Sequence, residues 1–151
     1  MGTASGMEPT DIRWIQRFEN LERALAQLQA AISAHQAMPE NALIVMALIK
    51  AYEVSFELSW KTLKDLLAWN GVDARLPREV LKQAFAAGLL ENGQRWIDML
   101  EQRNLLAHIY DEARALQAAA RISTSFWPEL TALQHSLAQR RSQQRTEPPW
   151  P

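Results

Sequence analysis

The chain has no cysteine. Disulfide staples, thiolate zinc sites and thiol nucleophiles are therefore excluded together, and a reducing cytoplasm is the expected compartment. Charge of one sign is not in surplus either, because 16 Lys and Arg stand against 17 Asp and Glu for a net charge of -1. A protein that grips nucleic acid through a broad basic face carries an excess of cations, so any RNA contact here has to be local. No long hydrophobic run is present. The longest, Ala42 to Ile49, falls far short of the roughly 20 residues that a bilayer span needs, and no membrane partner is expected. The start of the chain lacks a basic segment leading into an apolar one, so it does not read as a signal peptide. Glycine (5 residues) and proline (7 residues) are sparse and confined to a few places. No stretch alternates apolar and polar residues for long, which leaves helix as the dominant element.

What remains is 151 residues, 48% of them hydrophobic, enough to bury one core and to form one domain. The first predicted helix runs from about Asp11 to about His35. Its Trp14, Phe18, Leu21, Leu25, Leu28 and Ile32 recur at alternating intervals of four and three, which lays a single stripe on one face. Pro39 suits a first helical position, and a second, long helix continues to Asn70 and Gly71, a good C-terminal stop. Its beginning, Leu43 to Ile49, is apolar nearly all round and predicts burial against more than one neighbour. Pro77 opens a short third helix that closes near Gly88, and a fourth follows the turn at Asn92 and Gly93. Asp111 can cap a last helix to about Arg140, with Leu116, Ile122, Phe126, Leu130, Leu133 and Leu137 buried and a kink at Pro128. The expected architecture is all-α: an up-and-down antiparallel four-helix bundle with an extra short helix. Residues 1–10 read as a loose tail, 11–140 as the bundle domain and 141–151 as a Pro-rich tail.

One polar cluster interrupts this pattern. EQRNLLAHIYDE, residues 101–112, brings Arg103, Asn104, His108 and Tyr110 into eight positions. On an ideal helix Arg103 and His108 lie about 140° apart, whereas Asn104 and His108 lie only about 40° apart. Arg103 converges on them only if the helix unwinds near Ala107. An imidazole can move a proton near neutral pH, a guanidinium offers a fork of donors to a phosphate, and an asparagine can orient either. Together they suit phosphodiester cleavage without a metal. The three histidines, His35, His108 and His135, are scattered, so no metal site competes and no cofactor is expected. The plainer reading is equally physical: Arg and His near a helix C-terminus are favoured by the dipole and can bond free carbonyls. Spacing alone favours that helix end. Trp60 and Trp96 read as core anchors, and Glu53 and Glu57 as solvent-facing partners of Lys50 and Lys61.

RNLLAH followed by IY resembles the HEPN superfamily, whose signature is Arg, four to six residues, then His, in the branch ending His-x-Tyr. FELSWKTLKDLLAWNGV (56–72) and PREVLKQAFAAGLLENGQRWIDMLEQRN (77–104) resemble the nucleotidyltransferase substrate-binding proteins of that superfamily. The similarity covers Trp14 to Leu137. It implies a helical bundle that forms a homodimer and works beside a minimal nucleotidyltransferase. In related toxin-antitoxin systems the HEPN member is a metal-independent endoribonuclease, and its partner silences it by adding AMP to the motif tyrosine. By resemblance, Arg103 is then the phosphate-binding residue, His108 the acid-base residue, Asn104 their polar companion and Tyr110 the AMP acceptor. The family's older name implies an alternative, a non-catalytic subunit that presents a substrate to the nucleotidyltransferase.

Overall fold

The apolar stripe of the first helix is buried along its whole length, from Trp14 through Phe18, Leu21, Leu25 and Leu28 to Ile32. That helix, α1, spans Arg13–Ala37 in the computed structural model, which describes residues 13–108 and 111–146, with the side chains of 145 and 146 left aside. Its partner α2 spans Ala42–Trp69. The two form an antiparallel hairpin, tied near one end by Arg17, whose Nε donates to Asp65 Oδ2 at 2.6 Å.

The start of α2 departs from expectation. Pro39 lies in the turn before the helix rather than at its first position, and Asn41 is the cap: its side-chain oxygen accepts from the amides of Leu43 and Ile44 at 3.0 and 3.1 Å. The apolar opening of α2 is also less enclosed than its composition suggests. Val45 and Leu48 are buried, but Leu43 and Met46 are 77% and 64% exposed. An unbroken apolar run has no periodicity from which to read which side will be covered.

Helix α2 is the central rod and packs against α1, α3, α4 and α5. Gly71, at φ +85°, ends it. The short α3, Pro77–Ala86, opens on its proline as expected and closes before Gly88, at φ +78°. Both glycines occupy the left-handed region, where a side chain would be strained. Helix α4, Gly93–Leu106, is capped by Asn92, whose side chain accepts from the Arg95 amide at 3.0 Å.

The last rod has three parts: α5, Glu112–Arg121; a π-helical turn, Ile122–Phe126; and α6, Trp127–Thr146. Asp111 caps α5 by accepting from the Arg114 amide at 2.8 Å. The deformation expected at Pro128 lies one turn earlier, where the Trp127 amide bonds Ile122 five residues back. A proline ring collides with the carbonyl four residues before it and leaves that carbonyl without a donor. The widened turn just ahead of Pro128 lets the rod continue. Hydroxyls of Ser123 and Thr124 donate to the carbonyls of Ala119 and Ala120 at 2.8 Å. Helix α6 continues past Arg140 to Thr146, so the first part of the stretch expected as a tail is helical. It is fastened to α1 by Arg141, which donates to Glu22 at 2.7 Å, and by the Trp14 indole donating to Gln144 at 3.2 Å.

The result is the all-α bundle expected: four rods with α3 as the short addition, and no strand among the described residues. No helix of the described residues is long and apolar enough to cross a membrane. Ile122, Phe126, Leu130, Leu133 and Leu137 are buried as expected, whereas Leu116 is 42% exposed. Trp60 and Trp96 are core residues.

An aromatic cluster holds α2, α4 and the π turn together. Tyr52 stacks on Phe126 at 5.7 Å, and Phe56 packs against Trp96 at 6.1 Å. The Tyr52 hydroxyl donates to the Met99 carbonyl of α4 at 2.7 Å. Burial pushes this phenol up from its ordinary 10, against the opposing charges of Arg121 and Arg103. A raised pKa in the folded state means that folding favours the neutral phenol. Its contribution is complete below pH 10 and is lost as the pH rises, because the unfolded chain ionises first. Tyr52→Phe is expected to lose about 1 kcal/mol at pH 7, by urea denaturation, and to decline less steeply than wild type between pH 9 and 11.

Candidate functional site

Helix α4 delivers the polar cluster at its C-terminus. Its last helical residue is Leu106, Ala107 is the cap, and the His108 amide closes a turn onto the Leu105 carbonyl at 2.9 Å. The break therefore falls at Ala107, where convergence of Arg103 and His108 requires it. The reason is local: Asp111 starts a new helix a few residues on, so α4 has to stop.

Arg103 is half-buried on the α2 side of α4. Its Nη2 donates to Glu57 Oε1 at 2.7 Å, and its Nη1 donates to Asn104 Oδ1 at 3.1 Å. Glu57 also faces Lys61 one helical turn on, at 3.6 Å. The pairing with Lys61 is the one expected; beyond it, Glu57 bridges α2 and α4 and orients the guanidinium of the motif. No helix-surface rule flags a carboxylate 46 residues away from its partner. The nearest signal was that Glu57 lies on the long α2 that has to pack against several neighbours.

His108 is exposed and lines a different recess, a cleft of about 410 Å³ shared with Arg114 and Arg121 of α5. Arg103 does not line it. Within one chain, then, Arg103 and Asn104 are brought together, and His108 stands with two other arginines. No hydrogen bond among the described residues joins Arg103 to His108. The two centres still share a neighbour, since the charges of both Arg121 and Arg103 act on Tyr52 beneath them. Tyr110 lies outside the described residues. Among the described residues no group of three or more His, Asp or Glu is placed to hold a metal ion.

On its far side, the start of α5 faces the start of α2 across an apolar groove of about 510 Å³. Val45, Met46, Ile49, Leu106 and Leu116 line it, with Glu53 and Lys50 at its polar edge. The unexpected exposure of Met46 and Leu116 is exposure to this groove.

An all-helical bundle with Arg-x4-His at a helix break defines a protein of the HEPN class. The family described as nucleotidyltransferase substrate binding protein like matches residues 16–139, most of the sequence, and the chain belongs to it. It is similar to a Haemophilus influenzae protein named Probable ribonuclease HepT, 27% identical over 130 residues that cover 82% of this chain and 88% of the relative.

The Glu57 and Arg103 side chains are each about a third exposed, so solvent screens their pair. A double-mutant cycle with Glu57→Gln and Arg103→Gln is expected to give a coupling of about 1 kcal/mol or less in chemical denaturation.

Proposed function

We propose that this chain is the HEPN partner of a minimal nucleotidyltransferase in a toxin-antitoxin pair, and that it cleaves RNA without a metal. The reading is carried by Arg103 and His108 standing on either side of the break that ends α4, in a chain of this family. The relative named as a probable ribonuclease supports the same chemistry.

In the proposed reaction the ribose 2'-hydroxyl attacks the adjacent phosphorus. The imidazole of His108 takes the hydroxyl proton, and the bond from phosphorus to the 5'-oxygen breaks. The departing oxygen takes up a proton, leaving a 2',3'-cyclic phosphate on one fragment and a 5'-hydroxyl on the other. Arg103 stabilises the charge that accumulates on the phosphoryl oxygens, with Asn104 steadying its guanidinium. Because Arg103 does not line the cleft of His108, a complete site requires either a shift of the Arg103 side chain from Glu57 or a second copy of the chain. A homodimer that pairs the Arg103 of one protomer with the His108 of the other is the simpler solution. Leu105, 60% exposed beside this surface, is the kind of apolar contact such a pairing would cover.

The second reading, a non-catalytic substrate-binding subunit, is favoured by the apolar groove between α2 and α5, a surface suited to a protein partner. Under both readings the protein is cytoplasmic.

Expression of the chain without its partner is expected to arrest growth and yield RNA fragments with 2',3'-cyclic phosphate ends, also in excess EDTA. His108→Ala and Arg103→Ala are each expected to lower cleavage by about a hundredfold or more. Equal cleavage by wild type and His108→Ala would remove the nuclease reading. Tyr110 follows His108 by two residues, so a phosphate on it would add negative charge beside the cluster and block it. Intact-mass spectrometry after co-expression with the nucleotidyltransferase is expected to show added AMP units that Tyr110→Phe abolishes.

A further inference from the structure

The face of α5 that meets the end of α4 is not built for packing. Arg114, Gln117 and Arg121 recur at intervals of three and four, so they share one side of α5, and all three line the cleft that holds His108. Its volume of about 410 Å³ falls within the range of about 300–1,000 Å³ typical of small-ligand clefts, with room for more than one phosphate group.

Three observations indicate what it receives. Arg121 is set in place from behind, its guanidinium stacked over the Phe126 ring at 5.1 Å. Its acidic neighbour, Asp98, stands off at 3.9 Å, so most of its five N–H donors remain open to a ligand. Arg114 is likewise held only loosely, at 3.6 Å from the capping Asp111. The third observation is Gln102. It is more than nine-tenths buried as a residue, yet it lines the cleft. Its carboxamide therefore sits in the wall of the cleft, where an amide N–H can be offered to a ligand oxygen. Two guanidinia, an imidazole and an amide donor define an anion site of bidentate character, which suits phosphate better than a lone lysine would. This is also the local cationic surface that a chain of net charge -1 requires to touch RNA.

We infer that this cleft is a phosphodiester subsite for an RNA strand, in which Arg121 and Arg114 bind phosphate oxygens and Gln102 donates to the same strand beside His108. The inference rests on the nuclease reading for the identity of the strand but not for the binding itself.

Fluorescence anisotropy with a short 2'-O-methyl oligoribonucleotide separates the two, since that strand has no 2'-hydroxyl to attack with. Arg121→Gln and Arg114→Gln are each expected to weaken binding by about tenfold and to lower the salt dependence by about one phosphate contact. Arg75→Gln, in the exposed loop before α3, is expected to bind like wild type. Arg121 packs on Phe126, so thermal unfolding accompanies each variant, and the more exposed Arg114 supplies a variant that keeps the core intact. Unchanged binding in both folded arginine variants overturns the subsite, as does a wild-type protein that binds an acidic peptide but no oligoribonucleotide. If RNA is cut by wild type and equally by both variants, the subsite fails and the nuclease reading stands. If the oligoribonucleotide binds through the two arginines but no RNA is cut, the reverse holds.

Discussion

The cluster of Tyr52, Phe56, Trp96 and Phe126 is the constraint on which the rest of the molecule depends. It joins the central rod to α4 and to the π turn through ring contacts of 5.7 to 6.1 Å and one buried hydroxyl bond to Met99. Such rings contribute large apolar burial together with geometric preference, so the three elements have little freedom to slide. Everything polar near the end of α4 is positioned from this base. Met99 lies one turn before Arg103, and Phe126 is the ring under Arg121. The π turn is part of the same device, because it carries the last rod past Pro128 with Phe126 still aimed at Tyr52.

Around this base the charges divide into two centres. On the α2 side, Glu57 neutralises and orients Arg103. On the α5 side, His108 stands between arginines whose acidic neighbours, Asp98 and Asp111, lie 3.6 to 3.9 Å away. The first is closed by its own partners and the second is open. An arginine held by a carboxylate is rigid but has fewer donors to offer, while loosely held arginines over a cleft attract anions from solution. The proposed division of labour follows from that difference: capture of a strand on the open side, and charge stabilisation by an arginine supplied from the closed side or from a second protomer.

Much of the fold was legible where periodicity was clean. The stripe of α1, the Asp111 cap, the glycine stops and the core role of Trp96 are local patterns, and local patterns are what a sequence displays. The readings that failed share a cause. Leu43 is apolar but exposed, and Met46 and Leu116 border an open groove, since apolar composition does not specify which neighbour arrives. Pro39 and Asn41 competed for the same helix start, and the asparagine won because its side chain satisfies two amides that would otherwise be bare. The bend expected at Pro128 moved into the preceding turn, where hydroxyls could serve the carbonyls.

The sequence by itself determined an all-helical chain, the break after α4 and the residue types gathered there, because caps, breakers and three-to-four spacing act within a few residues. Only the tertiary structure decided that Arg103 turns to Glu57, that Arg114 and Arg121 rather than Arg103 surround His108, and that Gln102 is buried at the rim of the same cleft. Those choices follow from how separate helices pack, and charges 46 residues apart along the chain meet only when burial of the aromatic base fixes where each helix lies.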